Sequence, residues 1–129
     1  MIQPQNKVEK IILGIDPGTM YMGYGVISVV GTKMKFIDMG ILDLKKEGDT
    51  YMKLKKVYDF TIALIDKFLP DEFAIEAQFF GKNVQSMLKL GRAQGVAIAA
   101  AISRQVPIHE YAPIKIKITI TDNGSTAKE

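Results

Sequence analysis

The sequence predicts an α/β domain built on a mixed sheet, and three observations carry that prediction. The stretch Ile11-Ile12-Leu13-Gly14-Ile15-Asp16-Pro17-Gly18 is an apolar run that ends at a carboxylate and a Pro-Gly turn. Such a run reads as a buried strand. Two further strand-like stretches follow through short connections, which makes an antiparallel meander. A stretch of helical spacing then separates the meander from a short apolar segment ending at Glu76. A helix between two strands implies a crossover, so this later strand should lie parallel within the same sheet.

Each element has its own reason. The first strand spans Lys10 to Asp16. Pro17 fixes its own φ and disfavours helix at Asp16, and Gly18 permits positive φ, so the strand ends in a tight turn with Asp16 at its mouth. Asp16 could simply cap that turn, since Asp is a common turn residue. The second strand runs from Met22 to Val30, and its Gly23 and Gly25 leave two positions where a backbone or ligand can approach closely. The third runs from Lys35 to Leu44. Asp49 or Thr50 can cap a helix whose apolar face is Leu54, Val57, Thr61, Leu64 and Phe68, and Pro70 stops it. Glu72 to Glu76 is a strand, Asn83 to Arg104 a helix given apolar mass by Val84, Met87, Leu88, Leu90, Ile98 and Ile102, and Val106 to Tyr111 a last parallel strand.

Composition bounds the function. The chain has 129 residues, enough for one domain with a core, and its 47% hydrophobic and 24% charged content is ordinary globular usage. It has no cysteine and one histidine, His109, so there is no thiolate metal site and hydrolytic chemistry must rest on carboxylates. The most apolar stretch, Val96 to Ile102, is far too short to span a bilayer, and no signal peptide is visible. A cytoplasmic location is expected. Residues 1–81 hold ten Lys/Arg against eleven Asp/Glu, whereas residues 82–129 hold seven against three. The basic C-terminal part invites a polyanion, although a solvated face would show the same charge.

Two acids stand out. Ala74-Ile75-Glu76 repeats the logic of Gly14-Ile15-Asp16, an apolar strand with one acid at its C-terminal end. If the strands are adjacent and parallel, the carboxylates emerge together and repel unless a cation sits between them. An all-oxygen donor set favours Mg²⁺ or Mn²⁺. Two unrelated surface acids remain the alternative. In the second helix, Gly91, Gly95 and Ala99 are spaced by four and form a smooth stripe. Each mid-helix glycine costs about 1 kcal/mol relative to alanine. The stripe therefore points to close packing, against the sheet or against a second subunit.

Ile12-Leu13-Gly14-Ile15-Asp16-Pro17-Gly18-Thr19 with Gly23-Tyr24-Gly25-Val26-Ile27 resembles the opening of the RuvC family, the crossover-junction endodeoxyribonucleases that resolve Holliday junctions. Ala74-Ile75-Glu76-Ala77-Gln78-Phe79 with Lys82-Asn83, then Leu88 to Ala97, then Glu110-Tyr111-Ala112, continue the match. The first motif alone is weak, because actin-like and Hsp70-like ATPases also open with a Gly-Ile-Asp strand.

The resemblance implies a ribonuclease H-like fold with a five-stranded mixed sheet in order 3-2-1-4-5 and helices on both faces. It implies a homodimer with the 83–104 helix, and so Gly91, Gly95 and Ala99, in the interface. It implies cleavage of four-way junction DNA with two Mg²⁺ ions, Mn²⁺ being able to substitute, in recombination and repair. The RuvA–RuvB branch-migration complex is the implied partner. Asp16 and Glu76 match family catalytic and metal-binding acids. Phe79 matches an aromatic that stacks on a junction base, and Lys82, Lys117 and Lys128 match DNA-binding positions.

The sequence also departs from the family. Ile114 to Thr121 alternates like a strand where the family has a helix, and Ile114, Ile118 and Asp122 are atypical there. RuvC proteins continue into a helix with two more metal ligands. The chain is accordingly expected to be a single nuclease domain, incomplete at its C-terminus, that binds junctions weakly and does not cleave them. A non-catalytic junction-binding or interaction module on the same fold is the alternative. A sugar-kinase-like ATPase is disfavoured because one domain cannot form a two-lobed nucleotide cleft.

Overall fold

The structure is a computed structural model and describes residues 8–76 and 83–111. Five strands and two helices follow in the order β1 (Glu9–Asp16), β2 (Tyr21–Val30), β3 (Lys33–Asp43), α1 (Thr50–Phe68), β4 (Glu72–Glu76), α2 (Val84–Ser103) and β5 (Ile108–Tyr111). The sheet order is β3-β2-β1-β4-β5. The meander is antiparallel, and β4 and β5 join in parallel. The predicted topology therefore holds, with element ends shifted by one or two residues. Residues 114–129, where strand and helix signals conflict, lie outside the described residues.

The core lies between the helices and one face of the sheet. Leu13, Ile15, Phe73 and Ile75 are each wholly buried and pack in one cluster with Val57, Leu64, Ile65, Ala97 and Ala101. Residues of β1 and β4 with odd numbers thus face the helices, because strand side chains alternate. Full burial of each large side chain contributes about 1.5–3 kcal/mol.

The helix ends are specified locally. Of the two candidate caps for α1, Asp49 serves: its side chain accepts a hydrogen bond from Tyr51 N at 2.9 Å. Leu69 then ends the helix in the left-handed region (φ 49°), donating its N–H to Ile65 O, before Pro70. Asn83 caps α2 by accepting from Ser86 N at 2.9 Å.

Three expectations change. Gly18 does not take positive φ; Gly31 (φ 64°) is the positive-φ glycine among the described residues. Gly18 is required for space instead, since a Cβ there would lie 2.0 Å from the Tyr21 carbonyl oxygen. The apolar mass of α2 is also misassigned by hydrophobicity. The helix buries Ala93, Ala97, Ala100 and Ala101, while Val84, Met87, Leu88 and Ile102 are exposed. Small residues are what let the helix axis approach the sheet. Finally, the Gly91–Gly95–Ala99 stripe does not pack on the sheet. All three residues are exposed, and no described residue lies within 4 Å of a Cβ placed at Gly91 or Gly95.

Asp71 fixes the register of β1 against β4. Its carboxylate accepts from Ile11 N at 2.8 Å, and its own N–H donates to Ile11 O at 2.7 Å. Asp71→Ala is expected to cost about 1 kcal/mol in urea unfolding, the net worth of one such hydrogen bond. An unchanged midpoint would show that β1 and β4 align without it.

Candidate metal and nucleic-acid site

The parallel register of β1 and β4 builds the site. Gly14 pairs with Ala74 and Ile15 with Ile75. One residue further, Asp16 and Glu76 stand level on neighbouring strands, about 4.8 Å apart by the usual strand spacing. Both are two residues beyond a small residue on the same face, so both side chains leave the face opposite the helices. Glu76 is 3% exposed, whereas Asp16 is half-buried.

The floor around the acids is made of small residues. Gly23 pairs with Asp16 and Gly25 with Gly14 across β2, and Ala74 flanks on β4. A Cβ at Gly23 would sit 3.8 Å from Asp16 Cβ, an ordinary contact, so this glycine gives room beside the acid without being sterically forced. The donor set is two hard oxygen ligands at one edge of the sheet, which suits a divalent cation. Among the described residues no group of three or more His, Asp or Glu side chains could hold a metal ion together.

Three other groups define the surroundings. The Gln94 side-chain amide donates to the Glu76 backbone carbonyl at 3.3 Å, so α2 steadies the end of β4. Gln94 lies within the Leu88 to Ala97 stretch, and a polar amide among apolar and small residues there is the sequence signal for it. His109 pairs in register with Ala74, and its Nε2 lies 3.8 Å from Glu72 Oε1, two residues back along β4 from the level of the acids. Tyr21, exposed, lies two residues before Gly23 on the acid-bearing face, with Lys45 Nζ 4.9 Å from its ring centre. Phe79, Lys82, Lys117 and Lys128 all lie outside the described residues.

The family description "Crossover junction endodeoxyribonuclease RuvC" matches residues 12–129. The chain belongs to the RuvC family. It is 64% identical over 129 residues to the RuvC of Bacteroides fragilis, covering all of this chain and 68% of that protein. It is 60% identical over 121 residues to the RuvC of Porphyromonas gingivalis, covering 94% of this chain and 64% of the relative. The chain thus spans about two thirds of the length of these curated relatives.

Structural likeness gives the same family. Thermus thermophilus RuvC in complex with a Holliday junction substrate superposes with a TM-score of 0.75 at 25% identity, over 84% of this chain and 68% of that one. The yeast mitochondrial Holliday junction resolvase, at 18% identity and a TM-score of 0.54, covers 92% of this chain and 58% of its own, and shares the fold. The RuvC-family sheet order 3-2-1-4-5 is therefore present here.

Proposed function

We propose that this RuvC-family chain serves a Holliday junction resolvase, a divalent-metal-dependent endonuclease that acts on four-way DNA junctions as a homodimer. The observation that carries this is the level placement of Asp16 and Glu76 on one sheet face at adjacent parallel strand ends. Those two carboxylates would hold Mg²⁺ or Mn²⁺. When bound, such an ion polarises the phosphodiester and lowers the pKa of a bound water. The chain's own contribution is to fix the two acids at one level and to keep Glu76 out of bulk water.

Pairing of two copies is supported by the outer face of α2. Val84, Leu88, Gly91, Gly95, Ala99 and Ile102 follow in steps of four, three, four, four and three, which keeps them on one stripe. All six are exposed, and the buried alanines lie on the opposite side of the helix. An apolar stripe with glycines at its centre lets a second helix approach closely. Gly95→Leu is expected to raise the monomer's stability by about 1 kcal/mol, since it removes a mid-helix glycine and no described residue lies within 4 Å of a Cβ there. It should weaken self-association by at least about tenfold in sedimentation. Equal association of variant and parent would remove α2 from the interface.

The test of function is binding of a labelled four-way junction against linear duplex of the same sequence. Preference for the junction, weakening steeply with salt, is expected. Equal affinity for the two DNAs would overturn the junction reading. Strand nicking of the same junction in Mg²⁺ or Mn²⁺ is compared between parent and Asp16→Asn, and loss of symmetric nicks in the variant is expected. Nicks that persist in Asp16→Asn would remove that acid from the site.

A further inference from the structure

The cavity between the helices has no part in the reading above. Its volume is about 350 Å³, and its wall begins at Gly18 and Thr19, two and three residues after Asp16. It therefore opens at the same edge of the sheet as the acids, but on the helix side. Lys53 of α1 and Lys89 and Arg92 of α2 line it together with the Thr19 and Thr50 residues, over a floor that includes Leu54 and Val57. No Asp or Glu among the described residues lines it. Among the described residues none of the three cations is engaged in an ion pair. By contrast Lys10, Lys55 and Arg104 each have an acidic partner.

Three cations brought to one concavity without a counter-charge repel one another unless an anion joins them. Lys53 and Lys89 are far apart in sequence, so this convergence is a product of the packing of α1 on α2. Hydroxyl groups beside guanidinium and ammonium groups suit a phosphate oxygen, and the apolar floor suits the sugar attached to it. The volume exceeds what a bare ion fills.

We infer that this cavity holds a backbone phosphate of the DNA strand that crosses the sheet edge at Asp16 and Glu76. The inference rests on the proposed junction binding. One strand would then be gripped on both sides of the edge, by the acids and their ion on one face and by Lys53, Lys89 and Arg92 on the other. The grip would set the strand's path without reading its sequence.

The double variant Lys89→Gln/Arg92→Gln tests this against the control Lys55→Gln/Lys67→Gln, which removes two charges from α1 away from the cavity. Each is measured for four-way-junction affinity across a salt series. Loss of two phosphate contacts should lower the slope of log affinity against log salt by about two and weaken binding at least tenfold at low salt. The control should change the slope by less than half a unit. If both doubles weaken binding equally, or if the cavity double binds as the parent does, the cavity holds no strand phosphate and the inference is overturned. Inorganic phosphate, titrated while the amide signals of Gly18 and Thr19 are followed by NMR, separates the sources. Shifts in the parent that are lost in the cavity double, with junction affinity unchanged, would assign the cavity to free phosphate and overturn the strand assignment. A parent that binds no junction but shows those shifts would refute the proposed function while leaving a phosphate-binding cavity.

Discussion

Asp16→Asn is expected to abolish Mn²⁺ binding, measured by paramagnetic broadening of the amide signals around residues 14–16 and 74–76, while making the metal-free protein more stable. The two effects share one cause. Asp16 and Glu76 stand level on adjacent strands, and Glu76 is 3% exposed. Carboxylates held at the ends of adjacent strands repel when no cation lies between them, and half-burial of Asp16 lets water screen part of that, so a gain on the order of 1 kcal/mol or less in chelator is the expected size. Addition of Mn²⁺ should raise the parent's unfolding midpoint and leave that of the variant unchanged. A variant that is less stable in chelator, and whose signals still broaden, would show that the two acids do not share an ion. Sites that hold like charges together give up stability for function, which is the trade expected here.

Gly18→Ala is expected to destabilise the fold by on the order of 3 kcal/mol or more in urea unfolding. A Cβ at this position would lie 2.0 Å from the Tyr21 carbonyl oxygen and 3.2 Å from its carbonyl carbon. The obstacle is backbone, which cannot swing aside as a flexible side chain does. Overpacking of this kind costs about 1–3 kcal/mol even where neighbours can adjust. The segment is also held from its other side, since Met20 O accepts the Leu44 N–H at 2.8 Å. Moving it would shift both the entrance of the cavity and the residue after Asp16. A midpoint within 0.5 kcal/mol of the parent, as an order-of-magnitude threshold for a surface substitution, would show that the turn relaxes freely.

Most of the fold could be read from the chain because its punctuation is strong. Pro17-Gly18 and Pro70 end elements where steric rules demand it, and apolar runs ending in one acid mark β1 and β4. The acid pair was legible because a parallel crossover places equivalent strand ends at one edge. What failed was the assumption that the most hydrophobic residues of a helix are its buried ones. In α2 the alanines go inward, because close helix–sheet packing selects for size, and Val84, Leu88 and Ile102 are left outside. The cationic cavity could not be read at all. Lys53, Lys89 and Arg92 share no local pattern, and only the packing of α1 against α2 brings them together.

The alternation of β4 has a consequence for how this gene can change. Glu76 and Ile75 point to opposite faces, so a deletion of one codon between Glu72 and Glu76 would move Glu76 to the helix-facing position that Ile75 holds. A carboxylate would enter the space beside Leu13 and Phe73, both wholly buried, and Ala77 would fall where the second acid stood. One lost codon there removes folding and chemistry together, so no intermediate survives for selection to repair. Codons lost from the polar loop Lys45–Gly48, which is mostly exposed and precedes the Asp49 cap, carry no such penalty. Length variation among descendants of this gene should therefore collect in that loop and avoid the five codons of β4.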